Sequence, residues 1–359
     1  MIRTRITEMY GVEHPIVQGG LQAVAVAPLT AAVANAGAMG FMTALSYETP
    51  EDLRKGIAEC RDLTDRPFGV NITLLPALHP PDYPGYLQVC AEEGIGFLET
   101  AGRSPEPFMP VVEEAGIKVT HKCTSIRHAL KAQSVGVHAI SIDGFECGGH
   151  PGEDDVTSLI LVPLAADALD IPVIASGGFG DGRGLAAALA LGADGVNMGT
   201  RFVATAEAPV HPGAKQAMVD HSELDTTLVM RTLRNTARVL SNEVAAKVVE
   251  VESRPGDTRI EDLIEFVAGS ETRNNVWAEG DVDGGIVAAG QVMGLIRDVP
   301  TVSELVERIG VDRDHHDPVV DHPGSSDLAG ERLGGDVDEL GRVASLHPEF
   351  AGRRRQPHG

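Results

Sequence analysis

The chain has 359 residues, 43% of them apolar but only 4% aromatic, enough to bury a large aliphatic core as one big α/β domain or two smaller ones. Twenty-nine basic against 52 acidic side chains give a formal charge of −23, which argues against nucleic acid or an anionic membrane surface as a partner of the body of the protein. Cys60, Cys90, Cys123 and Cys147 stand far apart with no C-x-x-C pair, so neither a zinc knuckle nor a disulfide framework fits and reduced thiols are expected. The opening MIRTRITEMYG lacks the apolar centre of a signal peptide, and the apolar stretch 21–45 is broken by Gln22, Pro28 and Asn35. A cytoplasmic protein without membrane insertion is the expectation.

From residue 15 to about 200 short β-branched or glycine-ended runs alternate with stretches of helical periodicity. The runs are PIVQGG (15–20), GFMTAL (40–45), FGVNITLL (68–75), IGFLETAG (95–102), IKVTHKC (117–123), VHAISIDG (137–144), IPVIASGG (171–178) and DGVNMGT (194–200). Between them lie APLTAAVANAG, PEDLRKGIAECRDL, RHALKAQSVG and DGRGLAAALALG, several closing on glycine as helices often do. Eight strand-like runs, each followed by a helix or loop, predict a TIM (β/α)8 barrel over 1–205 rather than a doubly wound sheet. The alternation then stops. Residues 206–298 read as an inserted, mainly helical domain or lid, and 299–310 as a helix that closes the barrel. From 311 to 359 the composition shifts to a tail with five of the thirteen histidines, many glycines and prolines and the basic run Arg353–Arg355. A largely disordered extension is expected there. His315 and His316 lack metal-ligand spacing.

In a parallel barrel the chemistry sits where strands end at their C-terminal face. Collecting the polar residues at those ends gives Gln18, Gly19, Gly20 and Gln22, then Asn71 and Thr73, Glu99 and Thr100, His121 and Lys122, Asp143 with His150, Ser176–Gly178, and Asn197 with Gly199–Thr200. The set is rich in amides, hydroxyls and glycines. It resembles a grip on a large polar heterocycle with a phosphate more than a metal cage. ASGGFGDGRG (175–184) and VNMGTRF (196–202) are the phosphate candidates, because glycine turns expose backbone N–H groups and a helix starting near Asp181 would add its positive end. As plain tight turns the same glycines would need no ligand.

SIDGFECGGHPGEDD (141–155) is the most informative stretch. The pair Gly148–Gly149 would let the backbone approach something flat or phosphorylated. His150 beside it is suited to proton transfer near neutral pH, although a lone loop histidine is commonly structural. Glu153, Asp154 and Asp155 would bind a divalent ion with His150 or, the commoner fate of consecutive acids, mark a helix start. Lys122 at its strand end would stabilise negative charge at the mouth or pair with Asp143. Cys147 reads as a packing residue whose thiol nonetheless lies close to the mouth.

GFECGGHPGEDD, HKCTSIRHALKA, IPVIASGGFGDGRGLAAALALGADGVNMGTRF and MRTLRNTARV, in that set and with PFGVNITLLP and EGDVDGG, resemble the FMN-dependent nitronate monooxygenase family, formerly 2-nitropropane dioxygenases, over about Pro15 to Gly310. Within it the chain is most similar to the NADH:quinone reductase branch. The resemblance implies a TIM barrel with FMN at its C-terminal mouth. By matching motifs it implies FMN contacts at Gly20, Leu21 and Gln22, Thr73, Lys122, Asp143, Gly148 and Gly149, with Ser176, Gly177, Gly178, Gly199 and Thr200 on the phosphate. His150 matches the histidine that lies over the flavin, which makes His150 and Lys122 the implied catalytic pair and leaves no metal. The loop LLPALHP (74–80) matches a nucleotide-associated loop, yet Leu78 stands where a polar residue is expected.

The reading that follows is an FMN oxidoreductase using NADH, or NADPH, to reduce a quinone by ping-pong hydride transfer. Nitronate oxidation with O2 is the first alternative and enoyl-thioester reduction a more distant one. A flavin-free, metal-dependent barrel lyase is the rival from another class.

Overall fold

The apolar runs become strands because each carries side chains that can be buried on both faces, as strands of a helix-covered parallel sheet require. The computed structural model describes residues 2–74, 80–267 and 269–311. It contains β1 (Ile16–Gln18), β2 (Met39–Thr43), β3 (Gly69–Leu74), β4 (Phe97–Gly102), β5 (Lys118–Cys123), β6 (Ala139–Asp143), β7 (Val173–Ser176) and β8 (Gly195–Met198). All eight pair in parallel in chain order, and β1 closes on β8 through Ile16↔Val196 and Gln18↔Met198. The fold is a closed eight-stranded barrel of the TIM type, as the alternation predicts.

Side chains alternate along each strand, so one parity fills the barrel and the other meets the helices. Outward residues such as Ile72, Leu98, Val119, Ile140 and Val196 join the main core under the helices. Inward, the lower end is apolar. Val17, Met39, Phe41, Ala139 and Ile174 pack with Ile6 and Tyr10 of the helix Arg5–Tyr10, which plugs the bottom. The Tyr10 ring stands edge-on to Phe41 and Phe97 at 5.9 and 5.1 Å, and its hydroxyl meets Thr120 Oγ1 at 2.5 Å. Above this plug the inward parity turns polar. Asn71 and Thr73 on β3, Glu99 on β4, Lys122 on β5, Ser141 and Asp143 on β6, Ser176 on β7 and Asn197 on β8 crowd the C-terminal half. The sequence thus seals one end of the barrel and leaves chemistry at the other.

The stretch after β8 differs from the mainly helical expectation in one respect. Helices Pro212–Asp220 and Glu243–Glu252 flank an antiparallel pair, β9 (Thr226–Val229) and β10 (Ala237–Leu240). Val229, Val239, Val248 and Leu263 give this part its own small core. The helix Val302–Val311 then returns to pack against Ala27–Asn35 and Gly182–Ala190. Its approach is fixed by Arg201, buried just past β8, which donates to the Asp298 carboxylate at 2.9 Å and carbonyl at 3.1 Å. Among the described residues no helix is long and apolar enough to cross a membrane. The chain divides into units Met1–Asp314 and His315–Gly359. The tail expected to be disordered lies outside the described residues, as do residues 75–79 of the loop that carries Leu78.

Candidate active site

The strand ends open into a cavity of about 720 Å³, and every cofactor-binding and catalytic residue implied by the family resemblance lines it. Gly20, Leu21, Gln22 and Thr73 form one side. Lys122, Asp143, Gly148, Gly149 and His150 form the next, and Ser176–Gly178 with Gly199 and Thr200 complete the rim. His121 and Thr100, also collected as strand-end residues, fall on the outward parity. They bond to each other at 2.8 Å beneath the helices and take no part in the mouth.

The floor is a network of buried amides and charges. Glu99 accepts from the Gly20 amide at 2.8 Å, Asn71 Nδ2 at 2.7 Å and Asn197 Nδ2 at 2.9 Å. Lys122 Nζ lies 3.7 Å from Asp143 Oδ2. Burial alone would lower the lysine pKa, but Asp143 and Glu99 outweigh it and hold the ammonium above its ordinary value. Burial raises the Asp143 carboxyl, with Lys122 pulling it back down. The site therefore keeps a fixed cation under its mouth.

Gly177 and Gly178 follow β7 in consecutive left-handed conformations (φ +92° and +82°), which turns the chain so that its backbone faces the cavity. Ser158 braces this turn, its hydroxyl within reach of the Ser176 and Gly177 carbonyls at 3.0 and 2.8 Å, while Glu146 holds the Ser158 amide at 3.0 Å. The helix end expected to assist is otherwise engaged. Asp181 caps its own helix through the Gly184 amide at 3.0 Å, so the positive end already faces a carboxylate. The Thr200 hydroxyl accepts from the Gly290 amide at 3.0 Å, which fixes its oxygen and leaves its own O–H to donate.

In the loop after β6 the two glycines have different reasons. A Cβ on Gly148 would lie 2.8 Å from the backbone of Ala289 and Gly290, so packing inside the protein already requires its smallness. Gly149 is left-handed (φ +80°) and a Cβ there would meet no protein atom within 4 Å. Its backbone bridges to Arg238 of β10, donating to the Arg238 carbonyl at 3.0 Å and accepting from its amide at 2.6 Å. The Arg238 guanidinium also stacks over Phe145 at 4.4 Å and donates to the Phe145 carbonyl at 3.0 Å. These contacts lay the β9–β10 pair over the mouth as a roof. Ala237 and Val239, with Met230, Ile286, Ala288 and Val292, give the cavity an apolar wall on the roof side, in the same cavity that His150 lines.

The acids after His150 do not start a helix. Glu153 accepts from the Thr236 amide and hydroxyl at 2.9 and 2.6 Å, and Asp155 from Arg231 at 2.8 and 3.0 Å, while the next helix begins only at Ser158. They fasten the roof. Among the described residues no cluster of His, Cys, Asp or Glu is arranged to hold a metal. His150 itself is open to the cavity. Enclosure by the surrounding walls lowers its pKa, with the Glu153 charge acting the other way, so the ring is neutral near pH 7. Burial pushes the Cys147 thiol well up, which makes it a poor nucleophile.

Sequence reading expects a lid in 206–298 but names no residue of it as lining the site, although MRTLRNTARV, a motif of the resemblance, contains Met230, Ala237 and Val239. Thr43 and Tyr83, also at the cavity wall, were missed as well.

A sealed parallel barrel with a charged, amide-lined mouth under an apolar roof defines an enzyme of the TIM-barrel class. The chain belongs to the nitronate monooxygenase family, whose profile matches residues 3–99 and 83–312, and it is an oxidoreductase. Members of this family are generally FMN-dependent. Among curated relatives, the (3aS,4S,5R,7aS)-5-hydroxy-7a-methyl-1-oxo-octahydro-1H-indene-4-carboxyl-CoA dehydrogenase of Rhodococcus jostii is 33% identical, over 87% of this chain and 96% of its own. The nitronate monooxygenase of Paraburkholderia phytofirmans is 29% identical over 84% of this chain and 92% of its own. Among solved structures, FabK from Thermotoga maritima superposes with a TM-score of 0.80 at 38% identity, covering 86% of this chain and 95% of that one.

Proposed function

We propose that this chain is an FMN-dependent oxidoreductase acting beside the carbonyl of an apolar acyl thioester. The observation that carries the reading is the division of one cavity into a polar floor and an apolar roof, with His150 lining the same cavity. The floor fits FMN: the successive left-handed turns at Gly177 and Gly178 offer backbone to a phosphate, and Lys122 offers positive charge to an electron-rich ring. The open space in front of Gly149 leaves room for a flat group. When bound, FMN would supply hydride transfer.

The residues around it have separable tasks. Gly20, Leu21, Gln22 and Thr73 would hold one edge of the cofactor, and Gly199 and Thr200 would join Ser176–Gly178 on its phosphate. Lys122, kept charged by Asp143, would stabilise developing negative charge. Neutral His150 would take a proton from the carbon next to the thioester carbonyl, or return one there in the reverse direction. Met230, Val239 and Ile286 would bury the hydrocarbon part of the acyl group and exclude water. In this reading 1–205 form the catalytic barrel, 206–298 its roof and 299–310 the closing helix. The named CoA-thioester chemistry of the 33% identical relative favours the same substrate class.

The second reading is NAD(P)H:quinone reduction, favoured by the same roof, which would receive a flat apolar quinone as readily as an acyl chain. Anaerobic mixing separates the two. Bleaching of the visible flavin band by a saturated acyl-CoA, or recolouring of the reduced protein by an enoyl-CoA, is the expected result. Bleaching by NADH followed by recolouring only with a quinone would replace the thioester reading with the second one. Bleaching by an alkyl nitronate alone would assign nitronate oxidation instead. A purified protein that is colourless and takes up no FMN would remove all three.

A further inference from the structure

We infer that Glu99 is a positioning residue that decides which atoms the cavity floor shows to its ligand; toward FMN this rests on the reading above. Glu99 lies on β4, wholly buried, beneath a floor built from three other strands. Its carboxylate is an acceptor only, and it takes three donors at once: the Gly20 amide after β1, Asn71 Nδ2 on β3 and Asn197 Nδ2 on β8. Each contact is 2.7 to 2.9 Å, the range of charge-assisted bonds.

The consequence lies in what these groups have left. Both asparagine NH2 groups turn down to Glu99, and that of Asn197 also meets Ser141 Oγ at 3.2 Å. Their Oδ1 atoms must therefore face away from the carboxylate. Asn71 Oδ1 takes the Thr73 hydroxyl at 3.1 Å, and Asn71, Thr73 and Asn197 all line the cavity. The Gly20 amide is committed inward in the same way. At this level the floor is a field of acceptors, suited to a heterocycle that brings its own N–H or O–H donors. An oxidised flavin ring brings one imide N–H and a chain of ribityl hydroxyls. The close seating of Gly19 and Gly20 against these asparagines preserves the arrangement, since a Cβ on either would lie 2.6 Å or less from the Asn197 or Asn71 side chain.

Glu99→Gln tests the inference with almost no change of shape. A glutamine has one acceptor oxygen and one donor NH2, so at least one asparagine would have to turn over and show its NH2 to the cavity. The purified, flavin-loaded variant is expected to keep the parent's circular dichroism and unfolding midpoint. Its FMN dissociation constant should rise roughly tenfold or more, the loss of about one charge-assisted hydrogen bond. Its visible absorption bands should shift, and the flavin potential should become more positive because a buried negative charge is gone. Asn71→Ser removes one spoke while keeping Glu99, and should weaken FMN in the same direction even where Glu99→Gln fails to fold. A parent protein that binds FMN, with folded variants whose FMN affinity, spectrum and potential match it, would overturn the role of Glu99 alone. A parent protein that binds no FMN would overturn the functional reading instead.

Discussion

Glu153 reaches from the loop of His150 to Thr236 at the start of β10, where its two carboxylate oxygens take the backbone amide at 2.9 Å and the hydroxyl at 2.6 Å. One side chain thus ties the candidate proton-transfer group to the roof. Thr236 is buried, so its amide has no water to turn to if the acid is removed. Glu153→Ala should destabilise the protein by about 1–3 kcal/mol and speed amide exchange across 226–240, read by mass spectrometry. The same substitution removes the charge that raises the His150 pKa. The acid limb of kcat/KM should accordingly move to lower pH, and an unmoved limb would show that His150 does not set it.

His150→Ala tests the ring itself. His150 lines the cavity, and among the described residues no side-chain hydrogen bond ties it to another element, so the variant should fold and retain its colour. Turnover should fall by roughly 10²–10⁴, the usual share of a positioned proton-transfer group. Loss of flavin with turnover per bound flavin unchanged would assign His150 to binding.

A second histidine sets an acid limit on stability. His121 is buried on the outward face of β5, and burial, with the nearby His128, lowers its pKa to about 4. Between about 6.5 and about 4 the unfolded chain binds a proton that the folded one refuses, so stability falls as pH falls through that window. The loss attributable to His121 is on the order of 3 kcal/mol. Urea midpoints measured across this range should drop more steeply for the parent than for His121→Gln, which has nothing there to titrate.

The adjacent glycines of the histidine loop should respond differently to alanine. Gly148→Ala places a Cβ against the backbone of Ala289 and Gly290 and should cost about 1–3 kcal/mol by overpacking. Gly149→Ala meets open space but holds a left-handed residue, costing on the order of 1 kcal/mol. Thermal unfolding ranks them, and the reverse order would mean that the loop yields at 148.

The barrel was legible because each strand carries its own apolar run and the sheet simply joins neighbours in chain order. The mouth residues were legible for the same reason, since they sit at the ends of those runs. Position at a run's end does not by itself fix parity: His121 and Thr100 stand at strand ends beside Lys122 yet point the other way. The roof was harder. β9 (TTLV) exposes three of its four residues in part and is stable only through its pairing with β10, so no local periodicity announces it. The partners of Glu153 and Asp155 lie 83 and 76 residues away, beyond any reading of neighbouring residues. Three successive acids with no visible partner looked like a helix start. The packing at Gly148 was hidden likewise, because what crowds it arrives from residue 289.

The bridge between Gly149 and Arg238 is made of main-chain atoms alone. The residues on either side of Arg238 are Ala237 and Val239, which line the cavity and also pack into the roof's small core. That one tie therefore does not depend on which side chains positions 237 and 239 carry. Apolar substitutions of similar volume at those two positions can reshape the chamber while the main-chain tie beside His150 keeps its place, so the wall over the ligand can change without disturbing the groups below it.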